Sequence, residues 1–591
     1  MKKIANVTDR SDRLSAAGAM AAAAFAATMS HAGLAMADNP IVQTNYTADP
    51  APMLYDGKLY LYTSHDEEVT VKDFFTMNDW RLYSTTDMVN WTDLGSPAGY
   101  KTFSWGTGDA WAPHGIARNG KFYLYVPINN STGSKIGVAV ASSPAGPFTD
   151  AIGKPLVSTG SGNIDPTVFI DADEQAYLYW GNPDLYYVKL SADMISFAEG
   201  PTKVTLTTAG FGVRTKTDRE TAYEEGPWFY KRDALYYLIY PADSTPEKLS
   251  YSTSSGPLGP WMYRGDIMDK QTGAGASFTN HPGVVDYKGH SFLFYHNGAL
   301  PGGGGFKRSV CVEEFTYGAD GTIPAVKMST TGPKAVENLN PFKQVEAETI
   351  AFSSGLKTAV CSEGGQRVTS IENGDYIKVK NVDFGSGATS FDARVAAAAS
   401  GASIELHLDS QTGTLVGTCA VPATGGAQTF MTTTCAVSGA TGVHDLFLKF
   451  TGGGGELFDF NWWKLSGPGA VDQPSSGAGG QASMPDGGAP AAGHGGESAV
   501  GGAGGVNAGS GGDRAGSSGS GSGAGTIGGS AAPTSGGSGD VAGATAPEAS
   551  SASCDCQSSA GGAGTASWLT ALALASSVAV RRRRSARVAH E

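Results

Sequence analysis

Charge is scarce in this 591-residue chain: Lys, Arg, Asp and Glu make up 16% of it, against about a quarter in an average soluble domain. With 83 glycines, that composition points to β-architecture plus a low-complexity stretch and away from helical bundles. Positive charge is the scarcer sign. The formal net charge is −14 and no basic stripe runs along the chain, so nucleic acid is excluded as a partner. Cysteine is limited to six residues, none in a CxxC pair of zinc spacing, which speaks against a zinc site. Long apolar runs are missing as well. The two candidates, near the termini, fall short of the about 20 residues that a spanning helix needs.

The N-terminus has the order of an export signal. Lys2, Lys3, Arg10 and Arg13 precede an alanine-rich apolar stretch over 15–29, and Ala35-Met36-Ala37 is a small-x-small cleavage site. The expectation is a signal peptide over 1–37 and a mature chain from Asp38; the alternative is a short membrane anchor. In an exported protein the cysteines can pair. Cys419 and Cys435 flank an expected hairpin centred on Gly425-Gly426, and a disulfide is expected between them.

A short aromatic strand after a turn recurs five times, marked by Tyr60, Tyr123, Tyr177, Tyr236 and Phe292 at spacings of 63, 54, 59 and 56 residues. Repeats of this length with several alternating strands indicate a β-propeller, here five-bladed over 38–335. Over 340–465 short alternating strands such as Ser403 to Leu408 and Asp445 to Phe450 indicate a β-sandwich of jelly-roll type. The expected fold is therefore all-β. Residues 466–553 are almost entirely Gly, Ser, Ala and Pro, a composition that cannot bury a core and reads as a disordered linker. Over 554–591 come Cys554 and Cys556, an apolar run from Trp568 to Val580, and Arg581 to Arg584. This order resembles the MYXO-CTERM-type sorting signal, which implies retention at the bacterial cell surface; the alternative is an ordinary tail anchor.

Propeller blades aim one loop or strand end each at a shared axis, so polar residues that recur once per blade are the candidates for chemistry. They are Asp49-Pro50 in blade 1, Trp111-Ala112-Pro113 in blade 2, Asp165-Pro166 in blade 3, Glu224-Glu225-Gly226-Pro227 in blade 4 and His281-Pro282 in blade 5. All stand shortly before the repeated aromatic strand.

These motifs, in this order, resemble glycoside hydrolase family 43. The resemblance implies an inverting glycosidase with Asp49 as general base, Asp165 as the aspartate that tunes and orients the acid, and Glu225 as general acid. The residue types suit the chemistry. Inversion needs one carboxylate to activate water and one protonated carboxyl to protonate the leaving oxygen. On this reading a charged Asp165 raises the pKa of Glu225 by like-charge repulsion, and Glu224 points away along an alternating strand. The resemblance also implies substrate contacts at Trp111, His281 and Arg308, with calcium or its waters beside His281. Phe74, Phe75 and Trp105 are candidates for outer subsites.

The second domain resembles carbohydrate-binding module family 6, through Val345-Glu346-Ala347-Glu348, Ile371-Glu372-Asn373-Gly374-Asp375-Tyr376 and Leu457 to Trp463. Glu346 and Glu348 are candidates for a structural calcium. The sugar cleft departs from the family pattern: Ser370 and Ala427 stand where stacking rings are expected, and Asp459 where an asparagine is. No organic cofactor is implied. The expected function is removal of α-L-arabinofuranosyl or β-D-xylosyl groups from arabinoxylan- or xylan-type hemicellulose, by a secreted, monomeric, surface-retained enzyme. The alternative is a non-catalytic, lectin-like propeller, which has no need of the carboxylate trio.

Overall fold

The aromatic repeats fold as the second strands of five antiparallel sheets: Lys58–Asp66, Lys121–Asn130, Ala176–Trp180, Leu235–Ala242 and His290–Asn297. In three blades the turn into that strand is Asp56-Gly57, Asn119-Gly120 or Lys288-Gly289, with positive φ at both residues. Two-residue hairpins need that conformation because its twist matches the strands they join. The second strands are buried on both faces, hence their near-continuous apolar character. Tyr62, Tyr125, Tyr179, Tyr240 and Tyr295 are all under 2% exposed. The innermost strands are Tyr46–Tyr55, His114–Arg118, Thr167–Ile170, Trp228–Arg232 and Gly283–Tyr287.

The computed structural model describes residues 39–159 and 162–472. The expected signal peptide and sorting tail lie outside the described residues, as does the linker except for 466–472. Blade 1 has five strands of its own, counting the short Ala98–Gly99, blades 2 to 4 have four each, and blade 5 has three. The edge strand of blade 5, Ser309–Phe315, is covered by the start of the described chain. The Ile41 N–H donates to Val310 O at 2.9 Å. The Asn39 side-chain amide exchanges hydrogen bonds with both the carbonyl and the N–H of Val312, at 3.0 and 3.1 Å. The two ends of the propeller are thereby joined, which satisfies an edge that would otherwise be open.

The second domain is a sandwich of two sheets around Phe391, Ile404, Leu448, Phe460 and Trp463. It does not end at 465: a 3-10 turn, Pro468–Val471, follows, and the Asp472 carboxylate accepts from the Ser386 N–H at 2.7 Å. Cys419 and Cys435 are disulfide-bonded. They do not flank a hairpin. Thr414–Val421 is an edge strand of one sheet and Met431–Ala436 an edge strand of the other, so the bond ties the two sheets together.

The sandwich is fused to blade 1. Its strand Thr349–Ile350 pairs antiparallel with the outer blade strand Trp91–Asp93. Asn90 exchanges two hydrogen bonds with the Lys380 backbone, at 2.9 and 2.8 Å. Among the described residues no helix is long and apolar enough to cross a membrane.

Candidate active site on the propeller axis

A residue followed by proline stands immediately before the innermost strand in blades 2 to 5 and within it in blade 1, and the five prolines, Pro50, Pro113, Pro166, Pro227 and Pro282, line one axial cavity with Asp49, Asp165, His114 and His281. Its volume of about 20 Å³ admits a single water. The residue before proline has positive φ in three blades: Asp49 at 53°, Asp165 at 56° and Gly226 at 49°. The counterpart of the two aspartates in blade 4 is thus Gly226, and Glu225 lies one residue earlier. A side chain at Gly226 would meet the His281 ring and Pro241 at 3.0 Å each, so that position carries no carboxylate and the acidic residue moves back by one.

Asp49 is buried. Its carboxylate accepts from Ser64 Oγ at 2.6 Å and from Arg308 Nη1 and Nη2 at 3.0 and 3.3 Å, and His281 Nδ1 lies 3.1 Å away. Its N–H donates to His296 Nδ1 at 3.2 Å. Burial alone would raise its pKa. The charges of Arg308 and His281, with the Ser64 hydrogen bond, override that and hold the group well below the usual carboxylate range. His296, buried and beside Arg308, is itself pushed far down, and its Nε2 lies 2.9 Å from Thr279 O.

Arg308 uses all five N–H donors within the protein: two on Asp66, two on Asp49 and one on Thr279 Oγ1. None is left for a sugar hydroxyl, so it acts on the site through Asp49 and not by the direct contact that the resemblance implies.

His281 bridges the site, with Nδ1 on Asp49 and Nε2 3.2 Å from Glu225 Oε1. Burial would lower its pKa, but Asp49, Asp165 and Glu225 push it up to about 10, so the ring is a cation. That cation decides how Asp165 and Glu225 share a proton. Asp165 is pushed up to about 7: burial and the charges of Glu225 and Asp49 outweigh His281 and the Gly226 N–H. For Glu225, burial raises the pKa, but the hydrogen bonds from His281 and Asn182 lower it further. The sequence reading has Asp165 as the charged member of the pair. In the folded site the order is reversed, because only Glu225 touches both His281 and the Asn182 amide.

Glu224 points the other way, into an ion pair with Arg214 and Arg219. Trp111 is half-buried against the core of the propeller, and its carbonyl accepts from the Trp80 indole at 2.6 Å. Trp105 donates to Asp150 at 3.0 Å and packs on Phe103 in blade 2. Sequence reasoning missed Ser64, Asp66, Asn182 and His296. A faint signal existed for Asn182, which precedes a proline as the axial residues do; the others lie at the C-terminal ends of apolar strands with no motif of their own.

The carboxyl groups of Asp165 and Glu225 and a nitrogen of His281 lie within 4.8 Å of one another, but the protonated ring has no lone pair to offer, so a metal ion there would have to displace its proton. In the sandwich, Glu348 is buried with Oε2 unpartnered, and burial together with Glu346 and Asp93 holds its carboxyl well above the usual range. A buried carboxyl in that condition fits a calcium ligand. Glu346 Oε1 accepts from Gln344 at 2.9 Å. Ser370 donates its N–H to Glu456 at 2.8 Å, and Asp459 is ion-paired with Arg367 at 3.0 Å.

A five-bladed propeller with carboxyl groups and a bridging imidazole gathered on its axis defines a glycosidase architecture. Residues 37–323 match the family model "Glycosyl hydrolases family 43" and residues 346–467 match "Carbohydrate binding module (family 6)". An arabinoxylan arabinofuranohydrolase of Bacillus subtilis (strain 168) is 38% identical over 489 residues, 72% of this chain and 92% of that protein. One of Paenibacillus polymyxa is 34% identical over 488 residues, 72% and 74% of the two chains. The crystal structure of a glycoside hydrolase family 43 arabinoxylan arabinofuranohydrolase from Bacillus subtilis in complex with cellotetraose superposes with a TM-score of 0.63 at 33% identity. It covers 73% of this chain and 98% of that one. The chain belongs to glycosyl hydrolase family 43 and is a glycosidase with a family 6 carbohydrate-binding module.

Proposed function

We propose that the propeller removes α-L-arabinofuranosyl or β-D-xylosyl groups from arabinoxylan- or xylan-type hemicellulose with inversion at the anomeric carbon. Asp49 is the general base, Glu225 the general acid and Asp165 the group that shares and tunes the acid's proton. The observation that carries this reading is the pairing of Asp49 and Glu225 across His281. A whole imidazole lies between them, with contacts of 3.1 and 3.2 Å at its two nitrogens. Such a gap agrees with the wide spacing of inverting enzymes, about 6.5–9.5 Å, rather than the about 5–5.5 Å of retaining ones.

The locked anionic state of Asp49 suits a water-activating carboxylate. The Asp165–Glu225 pair holds one proton up to about neutral pH, and substrate entry, by displacing water and drawing Glu225 onto the glycosidic oxygen, brings that proton to the leaving group. The names of the relatives support arabinoxylan as the polymer. Calcium held by Glu346 and Glu348 would brace the sandwich. Export through the segment 1–37, surface retention through 554–591 and action as a monomer belong to the same proposal. The test is to incubate the protein with wheat arabinoxylan and with linear xylan and identify the sugar released. Arabinose or xylose is expected; release of neither rejects the reading.

A further inference from the structure

Between the second and third strands of blade 1 the chain makes an excursion over 67–78 that closes on itself. The Glu67 N–H donates to Thr76 O at 2.9 Å, the Val71 N–H to Thr76 Oγ1 at 2.8 Å and the Phe74 N–H to Val71 O at 3.2 Å. Its tip carries two consecutive phenylalanines. Phe75 turns inward, edge-on to Phe306 of blade 5 at 4.9 Å between centroids, and its ring lies 4.7 Å from the Arg308 guanidinium. Phe278 completes the cluster, 5.0 Å from Phe306. Phe74 turns outward, 5.8 Å from Phe306, and remains 51% exposed. A continuous series of contacts therefore runs from the base Asp49 through Arg308 and Phe75 to an open ring at the rim.

Nothing in the packing requires that ring to be exposed. A rigidly mounted aromatic at the edge of a site, supported from behind by other rings, is a surface for an apolar face. The excursion is also held from the sandwich side: Lys357 Nζ donates to Glu68 at 2.8 Å and to Thr44 O at 3.0 Å. The occupant follows from the proposed reaction. When one pentose side group sits at the axis, the polymer that bears it continues across the mouth. The units it presents to the rim are pyranose rings with C–H faces.

We propose that Phe74 is the platform on which a neighbouring unit of the polysaccharide main chain rests, and that it sets the preference for polymer over small glycosides. This rests on the reading of the propeller as a polymer-debranching enzyme. The platform works on binding and not on the bond-breaking step, because Phe74 touches no group that transfers a proton.

The test compares wild type, Phe74→Ala and Phe74→Trp on soluble arabinoxylan and on 4-nitrophenyl α-L-arabinofuranoside. For Phe74→Ala, kcat/KM on arabinoxylan should fall roughly five- to tenfold, the worth of one aromatic contact, mainly through KM. Activity on the aryl glycoside and the melting temperature should stay as in wild type, and Phe74→Trp should restore the polymer value. Equal kcat/KM on arabinoxylan for wild type and Phe74→Ala, or an equal fall on both substrates, would overturn the platform alone. Wild-type enzyme that cleaves the aryl glycoside but leaves arabinoxylan untouched would overturn the polymer reading, and the platform with it.

Discussion

Arg308 faces Asp49 with two N–H groups, at 3.0 and 3.3 Å, while Nε and its other Nη2 hydrogen grip Asp66 at 2.9 Å each. The residues are 259 positions apart, and both are almost fully buried. The guanidinium is thus a buried cation between two buried anions, which fixes the orientation of Asp49 and keeps it ionised. Removing one partner of such an assembly leaves an uncompensated charge. Arg308→Met should cost about 3–5 kcal/mol of stability and, in whatever fraction folds, lower kcat with it. Urea unfolding and kcat on one preparation check both effects.

Glu224 and Glu225 are neighbours with opposite surroundings. Glu225→Gln should lower kcat on polymer by about 10²–10⁴, the usual worth of a general acid, with the fold retained by circular dichroism. Glu224→Gln loses the partner of Arg214 and Arg219 and should cost stability while kcat stays within a few-fold. Near-full activity in Glu225→Gln, together with an inactive Glu224→Gln, would reverse the assignment.

The gap spanned by His281 carries a stereochemical consequence. The first-formed product should have the anomeric configuration opposite to that of the bond cleaved, because water attacks from the face away from the leaving group. Proton NMR during the first minutes of turnover reads this directly, and a retained configuration would remove Asp49 from the role of base.

Stability should decline on the alkaline side, and the sign follows from two groups. His281 is held up at about 10, against about 6.5 when unfolded. Its contribution is complete below about 6.5 and is lost as pH rises toward 10. Asp165, held up at about 7 against about 3.9 unfolded, likewise favours the fold less as pH rises through that interval. Asp49 works in the other direction, its contribution being present above about 3.9 and lost on further acidification. The melting temperature should therefore fall from pH 6 to pH 10, less steeply in His281→Gln than in wild type. Parallel curves would mean that His281 is not charged by its neighbours.

A calcium ion at Glu348 would turn an unpartnered buried carboxyl into a satisfied one. Chelation by EGTA should lower the melting temperature by several degrees, since a ligand present at 100 times its Kd adds about 2.7 kcal/mol. Glu348→Gln should abolish the response to calcium while hydrolysis of an aryl arabinoside persists. A melting temperature indifferent to EGTA and to added calcium would exclude the site.

The propeller was legible because its signals are local. An aromatic strand and a residue before a proline recur in each blade, with a turn dipeptide in three of them, and strand alternation with hairpin chemistry writes them into a few consecutive residues. Asp49, Asp165 and Glu225 were legible for the same reason, each belonging to such a unit. What lay between the units was not. Asp66, His296 and Asn182 reach the site by the arrangement of blades around the axis, and no spacing in the chain encodes that arrangement. The 16-residue separation of Cys419 and Cys435 suits a hairpin as well as a crossing between two sheet edges, and only the packing of the sandwich chose the crossing. The proton shared by Asp165 and Glu225 was decided last of all. Residue types alone allow either carboxyl to hold it, and the choice followed from a cationic His281 delivered by a fifth blade to within hydrogen-bond reach of one and not the other. Charge energies depend on distance and burial, and both are properties of the folded chain.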